Sequence, residues 1–178
     1  MSQTYAKQDL RGQDFSGQDL TGADFSWCNL SNANLAGANL AGANLSHANL
    51  SRANLSRANL AHADLSRANI AHADLSHSNP SRANLQNANL SSANLYDANL
   101  SRADLPGANL SGANLFVANL SHADLTDTTL TGANFTGANL DRANRVNEDV
   151  TASNRWRLVC LADLEGAAGL ETVQRLAG

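Results

Sequence analysis

Histidine and arginine are the side chains in this sequence whose type and spacing could support chemistry. Eight of them succeed one another at intervals of five residues: His47, Arg52, Arg57, His62, Arg67, His72, His77 and Arg82. Neutral imidazoles are common metal ligands, and guanidinium groups bind carboxylates and phosphates. The constant interval indicates that the chain repeats a structural unit, and that this unit decides where the side chains point.

A metal centre or a catalytic centre built from these histidines is not expected. Zinc needs ligands that converge at about 2 Å on one point, whereas histidines on separate repeats occupy separate outward corners. No Ser, His and Asp arrangement stands out from a repeat that supplies Ser and Asp throughout, and no glycine-rich phosphate loop precedes a helix. We therefore expect no metal, no cofactor and no enzyme activity.

The repeating unit has five residues. From position 10 to position 140 every fifth residue is apolar except for the substitution of Pro80, and 22 of these 27 positions are Leu. Ala stands two residues before in 21 units, and Asn or Asp stands one residue before in all units but one. An α-helix would rotate successive Leu by about 140°, and a flat strand would place them on opposite faces. A short extended piece and then a turn let Ala and Leu face inward in every unit.

The overall composition excludes several classes of protein. Ala, Leu and Asn are the most abundant residues, and aromatic residues make up 4% of the 178, which argues against a conventional sheet with an aromatic core. A net charge of −4 gives no overall attraction to nucleic acid or to an anionic membrane. No secretory signal and no run near the roughly 18 apolar residues of a membrane span is present, so the cytoplasm is the expected location.

Units such as Gly42-Ala43-Asn44-Leu45-Ser46 resemble those of the pentapeptide repeat proteins. This resemblance implies an all-β solenoid, a right-handed quadrilateral β-helix with four units per coil and about seven coils. It divides the chain into a lead-in over residues 1–7, a β-helix over 8–142 and a C-terminal cap over 143–178.

The segment after the repeats has an ordinary composition and is expected to cap the β-helix. Its apolar spacing predicts a short helical cap, and a short strand over residues 158–161 is the alternative. C-terminal ends form dimer interfaces in several relatives, so the resemblance also implies a homodimer through this tail. The candidate cap and dimer residues are Trp156, Leu158, Val159, Leu161 and Leu164.

Three departures from the repeat predict local irregularities. Gln8, Gln13 and Gln18 replace the small inward Ala and predict a wider first coil that tolerates polar side chains. Pro80 replaces an inward Leu and lacks a backbone donor, which predicts a weak point in mid-rod. Cys28 and Cys160 fit no metal or redox spacing and are expected to be free thiols.

The outward position at the end of each unit is expected to be nearly free of structural demand. With four units per coil, residues 20 apart stack, so one corner carries a basic ladder: His62, Arg82, Arg102, His122 and Arg142. Arg52, Arg57 and Arg67 continue a basic belt around the other corners. These eight residues are the candidate binding surface. The alternative is that they only provide solubility and that Asp64, Asp74, Asp104 and Asp124 neutralise them in place.

The sequence predicts a non-enzymatic rigid scaffold that binds an unidentified protein partner through an outer face. The alternative comes from the resemblance, because some relatives imitate duplex DNA, bind DNA gyrase and confer quinolone or toxin resistance. The charge fits that alternative poorly, since Asn outnumbers Asp within the units and the central belt is basic. Direct nucleic-acid binding and membrane contact are not expected.

Overall fold

A computed structural model describes residues 3–144 of the protein. In this range the chain forms a coil with a period of 20 residues. Parallel backbone bridges join residue i to residue i+20, from Thr4–Asp24 to Asp124–Asn144. Each unit contributes a single bridge residue, so residues 3–144 contain no helix and no longer strand. Four five-residue units therefore complete one coil, and the predicted stacking of residues 20 apart is confirmed.

The predicted C-terminal cap lies outside the described residues, which end at Asn144. The same holds for Cys160 and for the candidate dimer residues Trp156, Leu158, Val159, Leu161 and Leu164. The helical cap and the homodimer through this segment stay predictions.

The residues from Asn44 to Ala48 show how one unit satisfies its backbone N–H groups. Asn44 donates to the preceding coil at 2.9 Å, and Leu45 and His47 donate to carbonyls of the next coil at 2.7 and 2.9 Å. Ala48 donates back to the Leu45 carbonyl at 3.1 Å and closes a turn. The remaining donor, Ser46, bonds to the Asn44 side chain at 3.1 Å. Because all five donors are paired, the chain can stack coils closely without the penalty of unpaired backbone groups.

The interior is filled by the Leu and Ala of each unit, as the five-residue pattern predicts. In the middle coils the inward side chains, such as Ala43, Leu45 and Leu50, are fully buried. Burial of each Leu contributes on the order of 1.5 to 3 kcal/mol relative to exposure. Each of these coils thus buries four large and four small inward residues, one of each from every unit.

An aromatic cluster closes the N-terminal end of the core. The Tyr5 ring stacks on Phe25 with centroids 4.6 Å apart, and Phe15 meets both edge-on at 5.7 Å. The glutamines that replace the inward Ala in the first units are exposed at this end of the rod: Gln8, Gln13 and Gln18. Cys28 is buried beside this cluster, and its thiol donates to the Tyr5 carbonyl at 2.8 Å.

Pro80 leaves the coil intact and removes one hydrogen bond between coils. Its ring is buried in the Leu column, and the series of bridges is interrupted only between Asn79 and Asn99 within residues 3–144. Leu60, one coil earlier, donates its N–H to the Asn79 carbonyl at 2.9 Å, and proline has no N–H for the equivalent bond to Asn99. The backbone therefore loses one donor without a bend or a shift in register.

Candidate functional site

Every outward residue of the coil occupies the left-handed backbone region. From Lys7 to Arg142, all residues at this position have φ between +52° and +71°. The preceding residue keeps a negative φ, and the combination matches a type II turn, which favours Gly or Asn at this place. Side chains with a Cβ cost roughly 1–2 kcal/mol here. The expectation that this position is nearly free of structural demand is therefore wrong.

The chain accepts this conformational cost mostly for basic and imidazole side chains. Nine of the outward positions are Gly and nineteen are not. Eleven of those nineteen are Arg or His, from His47 to Arg142. Residues held in sparsely populated backbone regions at an exposed surface are reasonable indicators of function, because Gly would fill the turn with less strain.

The predicted basic ladder lies on one corner of the coil. The backbone bonds fix its register: the Arg82 N–H donates to Ser101 at 3.0 Å and the Arg102 N–H donates to Ser121 at 2.9 Å. The five side chains are exposed and succeed one another at the sheet spacing of about 4.8 Å: His62, Arg82, Arg102, His122 and Arg142. The corner therefore presents a straight row of cations and imidazoles.

Direct ion pairs leave most of the ladder uncompensated. Residues 3–144 contain three ion pairs, Arg11–Asp9 at 2.7 Å, His77–Asp97 at 3.0 Å and one at the ladder, between Arg142 and Asp141 at 4.0 Å. Arg82 and Arg102 take part in none of them. The predicted neutralisation by neighbouring aspartates thus does not occur through direct contacts within the described range.

The aspartates next to the ladder line up on the adjacent face. Asp24, Asp64, Asp104 and Asp124 belong to one column of bridge residues, and each comes two positions after an outward corner residue. The ladder corner therefore separates an acidic face from a face whose column from Asn39 to Asn139 contains only Asn. The ladder therefore has carboxylates on one side and an uncharged column on the other.

The other candidate cations lie on the three remaining corners, one on each. Arg52 precedes His72 by one coil, Arg57 precedes His77, and Arg67 comes one coil after His47. The structure does not bring these three arginines together with the ladder or with one another. They form the predicted belt only in the sense that they surround the rod at neighbouring levels.

The Asn columns perform two structural tasks. The Oδ1 atom of Asn54 accepts the N–H of Ser56 at 3.0 Å, which supports the turn. Its Nδ2 atom donates to Oδ1 of Asn34, one coil earlier, at 3.2 Å. This bond between coils recurs along the rod and was not predicted. It makes Asn, rather than Asp, the better residue in the middle of a column, because only Asn can both donate and accept.

Aspartates terminate these columns in the first coil. Asp14 accepts from the Ser16 N–H at 2.9 Å and from the Asn34 amide at 3.0 Å. The first of these bonds is the main reason why the pKa of Asp14 is lowered from its ordinary value. The pKa of Asp19 is lowered chiefly by the hydroxyl of Thr21, which donates to it at 2.6 Å. A carboxylate suits this place because it only has to accept.

Sequence reasoning missed an apolar cluster on another corner. The rings of Tyr96 and Phe116 stack with centroids 5.9 Å apart and an interplanar angle of 6°, and both are about one-third exposed. Val117 lies beside Phe116 and is equally exposed. The available signal was the occurrence of two aromatic residues, 20 apart, at a position otherwise filled mainly by Ser, Ala and Thr.

A second exposed aromatic contact involves the remaining large apolar side chain. Trp27 is 58% exposed, and its ring stacks on His47 at 4.0 Å with an interplanar angle of 5°. This contact lies on the corner of Arg67, which is neither the corner of the ladder nor that of the Tyr96 cluster. It covers one face of the imidazole and leaves the indole accessible.

The described residues contain no arrangement typical of a metal or thiol centre. Among residues 3–144, no three His, Cys, Asp or Glu side chains are grouped closely enough to hold a metal ion. Burial raises the pKa of the Cys28 thiol, which disfavours the reactive thiolate. In the same range, helices of the length and hydrophobicity required to cross a membrane are absent.

Comparison with known proteins identifies the repeat and the fold. The sequence profile described as pentapeptide repeats matches eight copies, at residues 6–37, 33–70, 63–102, 83–117, 93–132 and 118–147. The crystal structure of HetL, a pentapeptide repeat protein involved in heterocyst differentiation regulation in the cyanobacterium Nostoc sp. strain PCC 7120, is 32% identical with a TM-score of 0.54. That match covers 84% of this chain and 78% of HetL.

Two further structures extend the comparison. Rfr23, a pentapeptide repeat protein from the cyanobacterium Cyanothece 51142, is 30% identical with a TM-score of 0.54, over 64% of this chain and 88% of Rfr23. QnrB1, a plasmid-mediated fluoroquinolone resistance protein, is 22% identical with a TM-score of 0.42, over 94% of this chain and 97% of QnrB1, and resembles it in fold alone. Curated proteins give no significant match. The chain belongs to the pentapeptide repeat family, whose members fold as right-handed quadrilateral β-helices.

Proposed function

We propose that this protein is a non-enzymatic, rigid binding scaffold of about seven coils that recognises an acidic surface of a protein partner through the basic ladder. Pentapeptide repeat proteins are generally structural or binding proteins without catalysis, and the cytoplasm is the location that we propose. The observation that carries the proposal is the placement of Arg82 and Arg102 in strained left-handed turns, exposed and without an ion pair.

The strain argument favours binding over solubility as the role of the ladder. Solubility could be provided by charges at the neighbouring turn position, which has an ordinary negative φ and at which Ser is the most frequent residue. The chain instead places Arg at the position where each Cβ is strained. The corner projects these side chains away from the rod, where an acidic partner can reach several at once and gain from their summed field.

A matched pair of charge-reversal variants tests the proposal. In the ladder variant, Arg82, Arg102 and Arg142 are changed to Glu. In the control variant, Arg52, Arg57 and Arg67 are changed to Glu, which produces the same change in net charge at the same turn position on three different corners. Both variants are first compared with the wild type in thermal unfolding, so that loss of folding is not mistaken for loss of binding.

The binding measurement is quantitative affinity purification from the source cells, with subsequent titration of each recovered partner. We expect acidic partners to be retained by the wild type and by the control variant, and to be lost from the ladder variant. Equal recovery with all three proteins would contradict the role of the ladder. Loss from both variants would show that total charge, and not the ladder, controls binding.

A second candidate function is DNA gyrase binding by imitation of DNA. The observation that favours it is the acidic column of Asp24, Asp64, Asp104 and Asp124 on one face. The ladder beside this column opposes the imitation, because a surface that replaces DNA needs closely spaced anionic groups. A gyrase supercoiling assay with micromolar purified protein tests it, and the absence of both inhibition and protection from a quinolone would exclude this candidate.

A further inference from the structure

The stacked rings of Tyr96 and Phe116 form an exposed apolar cluster that the fold does not require. Both residues occupy a turn position at which earlier coils of the same column carry Ser56 and Ser76, so a small polar residue satisfies the turn. Exposed large apolar side chains in residues 3–144 are limited to Trp27 and to three residues of this cluster. Contiguous exposed apolar groups of this kind mark interaction sites more often than single ones do.

Val117 completes the cluster at a conformational cost. It is the only β-branched residue among the left-handed positions of residues 3–144, with φ of +52°. A β-branched residue in this region is a marked outlier. The same column carries Gly17, Gly37 and Gly137 at other levels, so the fold accepts Gly on this corner. Val117 therefore places an exposed apolar side chain, 38% of which is accessible, at a position where the fold accepts Gly.

The carboxylate next to the cluster has a hydrogen-bond partner. Asp97 accepts His77 Nδ1 at 3.0 Å, and the His77 ring meets the Tyr96 ring edge-on at 5.2 Å. This pair fixes the lower border of the cluster and leaves the rings accessible. The first uncompensated cation on the next side of the coil is Arg102 of the ladder.

The cluster and the ladder border the same uncharged face. Asn99 lies between Asp97 and Arg102 along one coil, and Asn119 lies between Val117 and His122 along the next. Five residues span at most about 17 Å when fully extended, and the turn shortens this distance. An apolar anchor and a row of basic side chains are thus within reach of one short peptide segment.

We propose that the Tyr96–Phe116–Val117 cluster and the ladder form one composite docking surface for a protein segment that carries an aromatic or branched aliphatic anchor within about five residues of carboxylates. This inference rests on the proposed function and specifies its partner. Aromatic residues and Arg are the side chains that dominate protein interfaces. A protein partner is favoured over a nucleic acid, because Val117 is aliphatic and offers no stacking surface to a base.

Four fluorescein-labelled probes test the proposal by fluorescence anisotropy. The first is a 12-residue peptide of Glu and Ser with one Phe and one Leu at its centre. The second has Ser in place of Phe and Leu, the third has Lys in place of every Glu, and the fourth is a 12-residue oligothymidylate. Each is titrated with the wild type, Y96S/F116S, V117G, R82E/R102E and W27S, where Trp27 is the exposed aromatic residue on another corner.

We expect the first peptide to bind the wild type at least tenfold more tightly than the other three probes. Y96S/F116S and R82E/R102E should each weaken this binding at least tenfold, V117G should weaken it several-fold, and W27S should not change it. Thermal unfolding of Y96S/F116S should match the wild type, because Ser is the residue of this column in neighbouring coils.

The outcomes separate this inference from the proposed function. If R82E/R102E loses binding and Y96S/F116S retains it, the composite surface is overturned and the ladder proposal stands. If the peptide containing Phe and Leu binds no better than its Ser counterpart, if no probe binds, or if the oligothymidylate binds more tightly, the composite surface is overturned. Loss of binding in W27S to the same extent as in Y96S/F116S would also overturn it.

Discussion

The Nδ2 atom of Asn94 donates a hydrogen bond to the carboxylate of Asp74, one coil earlier, at 3.0 Å. Asn94 in turn accepts from Asn114, one coil later, at 3.0 Å. The pair shows how a column of amide hydrogen bonds is interrupted at an aspartate: Asp74 accepts the bond from Asn94 but has no N–H to donate to the coil before it. The position of each Asp in a column therefore has an energetic consequence.

Asn94→Asp should destabilise the protein more than Asn89→Asp. Both changes remove a donor to the preceding coil, a loss of about 1 kcal/mol, but Asn89 lies between Asn69 and Asn109. Asn94→Asp additionally places a carboxylate about 5 Å from Asp74, which costs roughly another 1 kcal/mol in a water-like dielectric. Thermal unfolding at low salt measures the difference, and 1 M salt should reduce it. Equal melting temperatures of the two variants at low salt would contradict the repulsion between the introduced carboxylate and Asp74.

Asp14 and Asp19 should make the first coil sensitive to acid. The pKa of each is lower in the folded protein than in the unfolded chain, because each carboxylate accepts hydrogen bonds. The unfolded chain therefore binds more protons between these values, and the stabilisation that is present above about pH 4 is lost as the pH falls through the folded pKa. The double variant Asp14→Asn, Asp19→Asn should lose less melting temperature between pH 6 and pH 3 than the wild type.

The control for this acid effect is the same variant at pH 7. An amide Oδ1 still accepts from the Ser16 N–H and from Asn34, so the melting temperatures at pH 7 should be similar. An identical decrease in both proteins on acidification would show that other groups control the acid sensitivity.

Val117→Gly should raise stability by about 1 kcal/mol, because Gly removes the left-handed strain and this gain exceeds the entropy that Gly adds to the unfolded chain. The melting temperature should rise by roughly 2–4 °C. Val117→Ala is the control, since it keeps a Cβ in the same conformation and should bring no increase. A lower melting temperature for Val117→Gly would mean that packing of Val117 under Gly137 outweighs the strain.

Pro80→Leu should raise the melting temperature. It restores the N–H that can donate to the Asn99 carbonyl, as Leu100 donates to Asn119 at 2.7 Å, and it refills the Leu column. Pro80→Ala separates the two effects, because it restores the donor but leaves a smaller side chain in the core. We expect the melting temperature of Pro80→Leu to be higher than that of Pro80→Ala in a thermal unfolding scan. A decrease for Pro80→Leu would show that this level of the core is adapted to proline.

The core of this protein could be predicted from the sequence, because burial is encoded in residue type. A period of five, with Ala and Leu two apart, has one solution in which both face inward, and the register i to i+20 results from four units per coil. The outward turn was harder to predict. Its left-handed φ favours Gly. Because residues such as Arg57 and Val117 also occupy this position, the preference for Gly is not visible in the sequence, and the position looked unconstrained.

Side-chain contacts between coils were also beyond sequence reasoning, since they depend on which atoms face each other across a coil. The amide of Asn54 could support its own turn or reach Asn34, and only the geometry shows that it does both. The stack of Tyr96 on Phe116 needed the same knowledge. The ladder, in contrast, could be located from the sequence once the family resemblance implied four units per coil, because its members are 20 residues apart.

Each residue pairs in parallel with the one 20 positions later. The position of every surface side chain is therefore defined by its level along the rod and by its corner. Insertion or deletion of 20 residues changes only the level of the downstream residues. A change of five residues also keeps Leu and Ala inward, but it rotates everything downstream by a quarter turn and moves each side chain to the next corner. Such a change at residue 110 would cut the ladder between Arg102 and His122 and leave the core unaltered. Insertion or deletion of one five-residue unit can thus change which surface side chains share a corner, while the interior of the rod stays the same.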